Sequence, residues 1–275
     1  MKISFSTLAC PDFSWTEIYS MAKDVGFNGI EIRGIGEELN TVKAKPFRAD
    51  KIDDTIAKLK KLKLEIPCLS CGACLKFADK HDENTEEIKQ YIELAAKLET
   101  PYIRILGDLT PEPDGEVDDA FVASVLKEIC AFAEEKGVTL LVETNGVYSD
   151  TMRLKKLLDS VESKAVGALW DLHHPYRYMN ESAAVTTENL GDYIRFVHVK
   201  DSAIEDGKLV YKLMGEGDMP LREMFAALQK IGYTGYVSLE WVKRWAANLL
   251  DAGIVFPHFA NYMEEHRSEI ESESI

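Results

Sequence analysis

Eight short runs rich in β-branched and apolar residues recur along this chain, at 2–7, 29–33, 65–70, 102–106, 138–143, 166–170, 195–199 and 236–240. Between them the apolar residues fall three or four apart, as in Trp15-Ile18-Met21-Ala22-Val25, Ile52-Ile56-Leu59-Leu62, Ile88-Ile92-Ala95-Leu98 and Phe121-Val125-Ile129-Phe132. A strand that is followed by a helix before the next strand must cross over to pair, so the pattern dictates a parallel sheet. Successive run ends lie roughly 26 to 41 residues apart, from Thr7 to Arg33 at the shortest and from Val199 to Glu240 at the longest. That is the length of a strand, loop, helix and return loop. Gly26, Gly137 and Gly232 mark helix ends that lead into the next strand. Eight units with no Gly/Ser linker predict a single (β/α)8 TIM barrel over 1–275 rather than an open doubly wound sheet of five or six strands. The acidic tail 264–275 is expected to fray.

Composition narrows the function. With 46% hydrophobic residues the chain can bury a large core, and its 32 basic against 47 acidic side chains give a net charge of −15. Such a field repels nucleic acid and anionic membranes, and the only basic cluster is the helical set Lys58, Lys60, Lys61 and Lys63. No window approaches the roughly 18 apolar residues of a membrane span, and residues 1–7 read directly as a strand, so a cytoplasmic protein is expected. Five cysteines suit free thiols in a reducing compartment. Cys68, Cys71 and Cys74 mimic part of an iron–sulfur run, but Cys10 and Cys130 are too distant to supply a fourth ligand; they are expected to be loop thiols near the pocket.

In a barrel of this kind, chemistry sits at the carboxyl ends of the strands. Four of the last five strands finish on a metal-ligand type: Leu140-Leu141-Val142-Glu143, Ala168-Leu169-Trp170-Asp171, Phe196-Val197-His198 and Ser238-Leu239-Glu240. Any one of them alone could cap a helix. Together, three carboxylates closing on one pocket would repel one another without a cation, and one imidazole with three carboxylates makes a mainly hard site. One divalent ion is expected, Mn²⁺ first, with Mg²⁺, Co²⁺ or Zn²⁺ as alternatives. Period-two alternation places Glu31 with Arg33, and His198 with Lys200, on shared strand faces, so Lys200 should point into the mouth with His198. Glu31, Arg33, Arg104 and Lys200 are therefore candidate substrate contacts, with rim ion pairs as the competing reading. The stretch Gly215-Glu216-Gly217-Asp218-Met219-Pro220 is either an anion cradle or a tight turn before a helix. Trp15, Trp241 and Phe256 either wall the pocket or fill the core.

The runs Gly29-Ile30-Glu31-Ile32-Arg33, Val142-Glu143-Thr144-Asn145, Trp170-Asp171-Leu172-His173-His174, His198-Val199-Lys200-Asp201, Gly215-Glu216-Gly217-Asp218 and Ser238-Leu239-Glu240-Trp241 together resemble the xylose isomerase-like superfamily of sugar isomerases and epimerases. The resemblance implies that Glu143, Asp171, His198 and Glu240 bind one divalent metal, that His174 contacts substrate, with Asn145 beside Glu143 added to that set, and that the substrate is a small carbohydrate or cyclitol. Barrels of this family often form dimers or tetramers, so a homo-oligomer is the expectation. Ketose 3-epimerases of the superfamily usually carry an arginine shortly after the strand-seven histidine, where this chain has Lys200, Asp201 and Ser202. Its repair endonucleases need further histidines, and His81, His258 and His266 fall in helical or loop positions.

The chemistry expected of such a site is proton transfer next to a carbonyl through an enediolate, with Glu143 and Glu240 removing and returning the proton. His174 would donate a hydrogen bond to the oxygen on which charge builds. Departure of a β-hydroxyl would instead make the enzyme a lyase, of inosose-dehydratase, dehydroshikimate-dehydratase or C-glycoside-cleaving type. A non-catalytic sugar-binding barrel is the alternative of a different class, and retention of all four ligand candidates argues against it.

Overall fold

The computed structural model describes residues 1–267, and its strands fall close to the expected places. The chain runs β1 (Lys2–Ser6), α1 (Trp15–Val25), β2 (Gly29–Glu31), α2 (Ile52–Leu62), β3 (Cys68–Cys74), α3 (His81–Leu98), β4 (Tyr102–Leu106), α4 (Asp119–Lys136), β5 (Thr139–Glu143), α5 (Thr151–Val161) and β6 (Val166–Asp171). It continues with α6 (His173–Met179), α7 (Ala183–Leu190), β7 (Ile194–Val199), β8 (Asp201–Glu205), β9 (Lys208–Lys212), α8 (Leu221–Lys230), β10 (Tyr236–Leu239) and α9 (Ala252–Glu265). Of the tail expected to fray, Glu264 and Glu265 belong to α9, and residues 268–275 lie outside the described residues.

Eight strands form one sheet in the order β2-β1-β10-β7-β6-β5-β4-β3, each pair parallel. The two ends of that sheet meet through single bridges, Gly29 to Glu65 and Ile32 to Leu69, so the barrel nearly closes. The weak seam has a local cause: Pro67 has no N–H to donate, so the pairing that Glu65 makes with Asn28 and Ile30 breaks off and resumes only at Cys68. Among the described residues no helix is long and apolar enough to cross a membrane.

Helix ends follow local chemistry. Ser14 and Glu17 form a reciprocal capping box at the start of α1, and Asp118 caps α4. Gly26 and Gly137 take the left-handed conformation that ends α1 and α4, at φ 93° and 70°. Lys63, Glu99 and Glu162 adopt the same conformation without being glycine, which explains why these helix ends carry no readable stop signal.

Strand alternation divides the packing. Outward-facing residues such as Phe5, Ile30, Ile103, Leu140, Val142, Val197 and Val237 pack beneath the helices in the main core. A separate small cluster of Cys68, Leu141, Leu169, Phe196 and Tyr236, with Tyr102, plugs the lower interior of the barrel. Above that plug the inward positions turn polar. Gly107, just past β4, is pinned: a Cβ there would meet Tyr148 Cε2 at 2.3 Å, while the Tyr148 hydroxyl donates to Asp119 at 2.9 Å. Gly107→Ala is expected to destabilise by about 1–3 kcal/mol, as overpacking does, seen as a thermal midpoint lowered by several degrees. An unchanged midpoint would show that Tyr148 yields freely.

The three closely spaced cysteines lie on β3 rather than on a loop, a correction to the sequence-based expectation. All five cysteines are free and buried. Burial pushes the Cys10 thiol up to about 12 and raises Cys68 and Cys71 further from reactivity.

Candidate active site

Glu143 ends β5, Asp171 ends β6, His198 lies one residue from the end of β7, and Glu240 follows β10. Because parallel strands deliver their carboxyl ends to one rim, these four residues converge, all buried, with one candidate ligand atom from each lying within 4.8 Å of the others. His198 Nδ1 is 3.4 Å from Glu240 Oε1, 3.5 Å from Glu143 Oε1 and 3.9 Å from Asp171 Oδ2. That nitrogen is buried and makes no hydrogen bond. A ring nitrogen facing three carboxylate oxygens is the donor set of a hard divalent cation, so the residues fit such an ion.

The remaining charges are arranged around this cluster. Arg104 Nε lies 2.8 Å from Glu143 Oε2, its Nη2 is 3.8 Å from Glu240 Oε1, and Nη1 donates to the Cys71 carbonyl at 3.3 Å. Lys200, only 1% exposed, is hydrogen-bonded to Asp171 and donates to Glu240 Oε2 at 2.5 Å. Burial alone would raise the Glu143 and Glu240 carboxyls. Arg104 and His198 nevertheless hold Glu143 well below the ordinary range, and Lys200 and His198 lower Glu240. Burial opposes charge on Lys200 and His198, but Asp171 and Glu240 raise the lysine, and Glu31 and Glu240 raise the histidine.

The other residues singled out in the sequence divide into those that face the cluster and those that do not. His174 faces it, with Nε2 3.6 Å from Asp171 Oδ2, while Nδ1 lies 3.0 Å from the Thr144 carbonyl. A carbonyl only accepts, so Nδ1 carries the proton, and burial lowers the pKa of the ring; the neutral imidazole then presents Nε2 as an acceptor. Asn145 points away: its amide donates to the carbonyls of Asp108 at 2.8 Å and Thr110 at 3.1 Å, bracing the loop. Arg33 donates to the Leu39 carbonyl at 3.1 Å and lies 6.0 Å over the Trp245 ring, away from the carboxylate cluster. Glu31 is enclosed on the far side of the His198 ring, with its oxygens 2.9 and 3.0 Å from Nε2.

In the glycine-rich stretch, Asp201 accepts from the amides of Gly215 and Gly217, both at 2.9 Å, so these amides serve a turn. Trp15, partly buried, packs against Tyr19 and Phe47 at the edge of the core, and Phe256 packs against Phe5 within it. Trp241 borders the mouth, edge-on to Tyr211, whose ring approaches that of His173 at 5.9 Å.

Sequence reading missed the β8–β9 hairpin, which carries Tyr211 to this rim. Its register pairs Glu205 with Lys208 across a two-residue Asp206-Gly207 turn, both residues at positive φ. An Asp-Gly pair between alternating residues is a readable hairpin signal. Arg177 locks the hairpin base, donating from Nε to Ser202 Oγ at 2.9 Å and from Nη2 to the Ser202 carbonyl at 2.7 Å.

These features define the class: parallel α/β barrels that carry a carboxylate–histidine cluster at the carboxyl-end mouth. Residues 20–265 match the xylose isomerase-like TIM barrel family, and the chain belongs to that family. It is 29% identical over 179 residues to fructoselysine 3-epimerase of Shigella flexneri, a match covering 61% of this chain and 63% of that protein, so under two thirds of the relative's length is spanned. The fold is shared with a solved L-ribulose 3-epimerase, at TM-score 0.80 and 17% identity over 100% of this chain and 98% of the other. It is shared equally with a probable 3-DHS dehydratase involved in petrobactin synthesis from Bacillus anthracis, at TM-score 0.78 and 18% identity over 96% and 99%. At these identities the structural likeness is one of fold.

Proposed function

We propose that this chain is a divalent-metal-dependent epimerase or isomerase of a small carbohydrate or keto-sugar. The observation that carries the reading is His198 Nδ1, buried and without a hydrogen bond, facing oxygens of Glu143, Asp171 and Glu240 at 3.4 to 3.9 Å. Glu143, Asp171, His198 and Glu240 would hold the ion, with Mn²⁺ the first choice for this mainly oxygen donor set. When bound, it supplies Lewis acidity toward a substrate carbonyl and its neighbouring hydroxyl.

The protein's own groups do the rest. Glu143 and Glu240 stand on opposite sides of His198 around the barrel, since β6 separates β5 from β7 and β10 is the next strand beyond it. One carboxylate takes the carbon-bound proton adjacent to the carbonyl, and the other delivers to the opposite face of the resulting enediolate a proton that it has first received from the Lys200 ammonium, which donates to Glu240 Oε2 at 2.5 Å; the abstracted proton returns to Lys200 through solvent and closes the cycle. His174 Nε2 accepts from a substrate hydroxyl and orients the sugar. Lys200, with two of its three N–H groups on Asp171 and Glu240, directs the third toward the oxygen that gains charge. The fructoselysine 3-epimerase relative supports this reading.

A lyase is the second reading, favoured by Lys200, an ammonium buried beside Glu240 and able to give a proton to a departing hydroxyl. Incubation with Mn²⁺ and a panel of ketoses and keto-inositols in D₂O separates the two. Carbon-bound deuterium without loss of water is the expected result, and an enone product would transfer the assignment to the lyase.

A further inference from the structure

The contact between Glu31 and His198 joins positions 167 residues apart, from β2 to β7, strands separated in the sheet by β1 and β10. Nothing local to either strand requires it. Both Glu31 oxygens lie against His198 Nε2, at 3.0 and 2.9 Å, and each also accepts a hydroxyl: Ser70 Oγ donates to Oε1 at 2.5 Å and Ser238 Oγ to Oε2 at 2.7 Å. Glu31, His198 and Ser238 are fully buried and Ser70 is 1% exposed, and both Glu31 oxygens are taken up by His198 and the two serines, so this carboxylate has no free oxygen to offer a substrate.

Each Glu31 oxygen serves as an acceptor, already taking a serine hydroxyl, so His198 Nε2 is the donor at this contact. The nitrogen left for ligation, once a cation displaces any proton from it, is then Nδ1, which faces Glu143, Asp171 and Glu240. The two serines hold the carboxylate against Nε2, one on each oxygen. Without them, or without the charge of Glu31, the imidazole could exchange tautomers or rotate about its χ2 bond, and the ligating nitrogen would no longer be fixed.

We propose that Glu31, held by Ser70 and Ser238, is a positioning residue that fixes His198 as an Nδ1 ligand of the metal. The inference rests on the reading that the four-residue cluster holds a divalent cation, and it gives Glu31 a role other than the substrate contact expected from its strand face. Loss of such a partner typically weakens metal binding by about 10–100-fold.

The test is a titration of the metal-free protein with Mn²⁺, following the free-ion signal by electron paramagnetic resonance, in the wild type, Glu31→Gln and Ser238→Ala. Glu31→Gln is expected to weaken binding by about 10–100-fold, and Ser238→Ala to weaken it in the same direction by less. In the zinc-loaded protein, long-range proton–nitrogen correlations are expected to put the metal on His198 Nδ1 in the wild type and to show a mixed or shifted pattern in Glu31→Gln. Equal Mn²⁺ affinity in wild type and Glu31→Gln overturns the positioning role, as does a variant that only melts earlier while binding Mn²⁺ normally. A wild type that binds no Mn²⁺ overturns the metal reading itself. Should Glu31→Gln not fold, the double variant Ser70→Ala/Ser238→Ala, which keeps the carboxylate but removes its holders, gives the deciding affinity.

Discussion

Replacing Glu143 or Glu240 by glutamine is expected to lower kcat by about 10²–10⁴-fold, the range attributed to a positioned acid or base, while the far-ultraviolet circular dichroism stays that of the wild type. Glutamine preserves volume and one acceptor oxygen, so the barrel should close around it. It cannot take a proton from carbon at neutral pH. Glu143→Gln also removes the charge that faces Arg104 Nε at 2.8 Å, and Glu240→Gln the one that faces Lys200 Nζ at 2.5 Å, so both variants should melt earlier than the wild type as well as turn over slowly. The two variants differ in exchange. With one carboxylate on each face of the enediolate, each variant should lose deuterium exchange from one epimer of the substrate and retain it, slowly, from the other. Full activity in both would reject the proton-transfer assignment; loss of exchange from both epimers in either one would point to a single base.

Stripping divalent ions should have the second largest effect. Three carboxylates with mutually close oxygens and a buried imidazole nitrogen without a partner are stabilised when a dication sits among them. At a free concentration about a hundred times its dissociation constant, a ligand of the native state adds about 2.7 kcal/mol. For a chain of this size each kcal/mol moves the thermal midpoint by roughly 2–4 °C, so Mn²⁺ should raise it by roughly 5–10 °C and a chelator should reverse the shift and the activity together. Calorimetry with and without Mn²⁺, Mg²⁺, Co²⁺ and Zn²⁺ makes the measurement. A midpoint indifferent to all four ions would remove the central support for the proposed mechanism. Arg104 and Lys200 temper the expectation in one respect: they already neutralise part of the cluster, so the metal-free protein should remain folded rather than collapse.

Much of the architecture is legible because it is written in short-range patterns. The apolar runs fix the staves, and the intervening three-and-four spacing fixes the helices, since each pattern buries one face only in its own conformation. The Asp206-Gly207 turn was equally legible, but the charged residues beside it, Glu205 and Lys208, hid the hairpin from a search for apolar strands. The gathering of Glu143, Asp171, His198 and Glu240 follows from strand ends alone, because parallel staves must present their carboxyl ends together.

Beyond that, the sequence stops where the physics becomes long-range. Alternation states that Glu31 and Lys200 point into the barrel; it cannot say at what depth, or against whom. Only closure of the cylinder puts Glu31 behind the His198 ring and Lys200 between Asp171 and Glu240, because those contacts join residues 167, 29 and 40 positions apart. The amide of Asn145, turned onto the Asp108 and Thr110 carbonyls, and the proton of His174, placed by the Thr144 carbonyl, are likewise set by neighbours that meet only in the folded chain. The chain by itself thus determined the barrel and the residue types at its mouth. The tertiary structure decided their partners, since hydrogen-bond direction and charge pairing depend on distance in space, which periodicity along a strand does not encode.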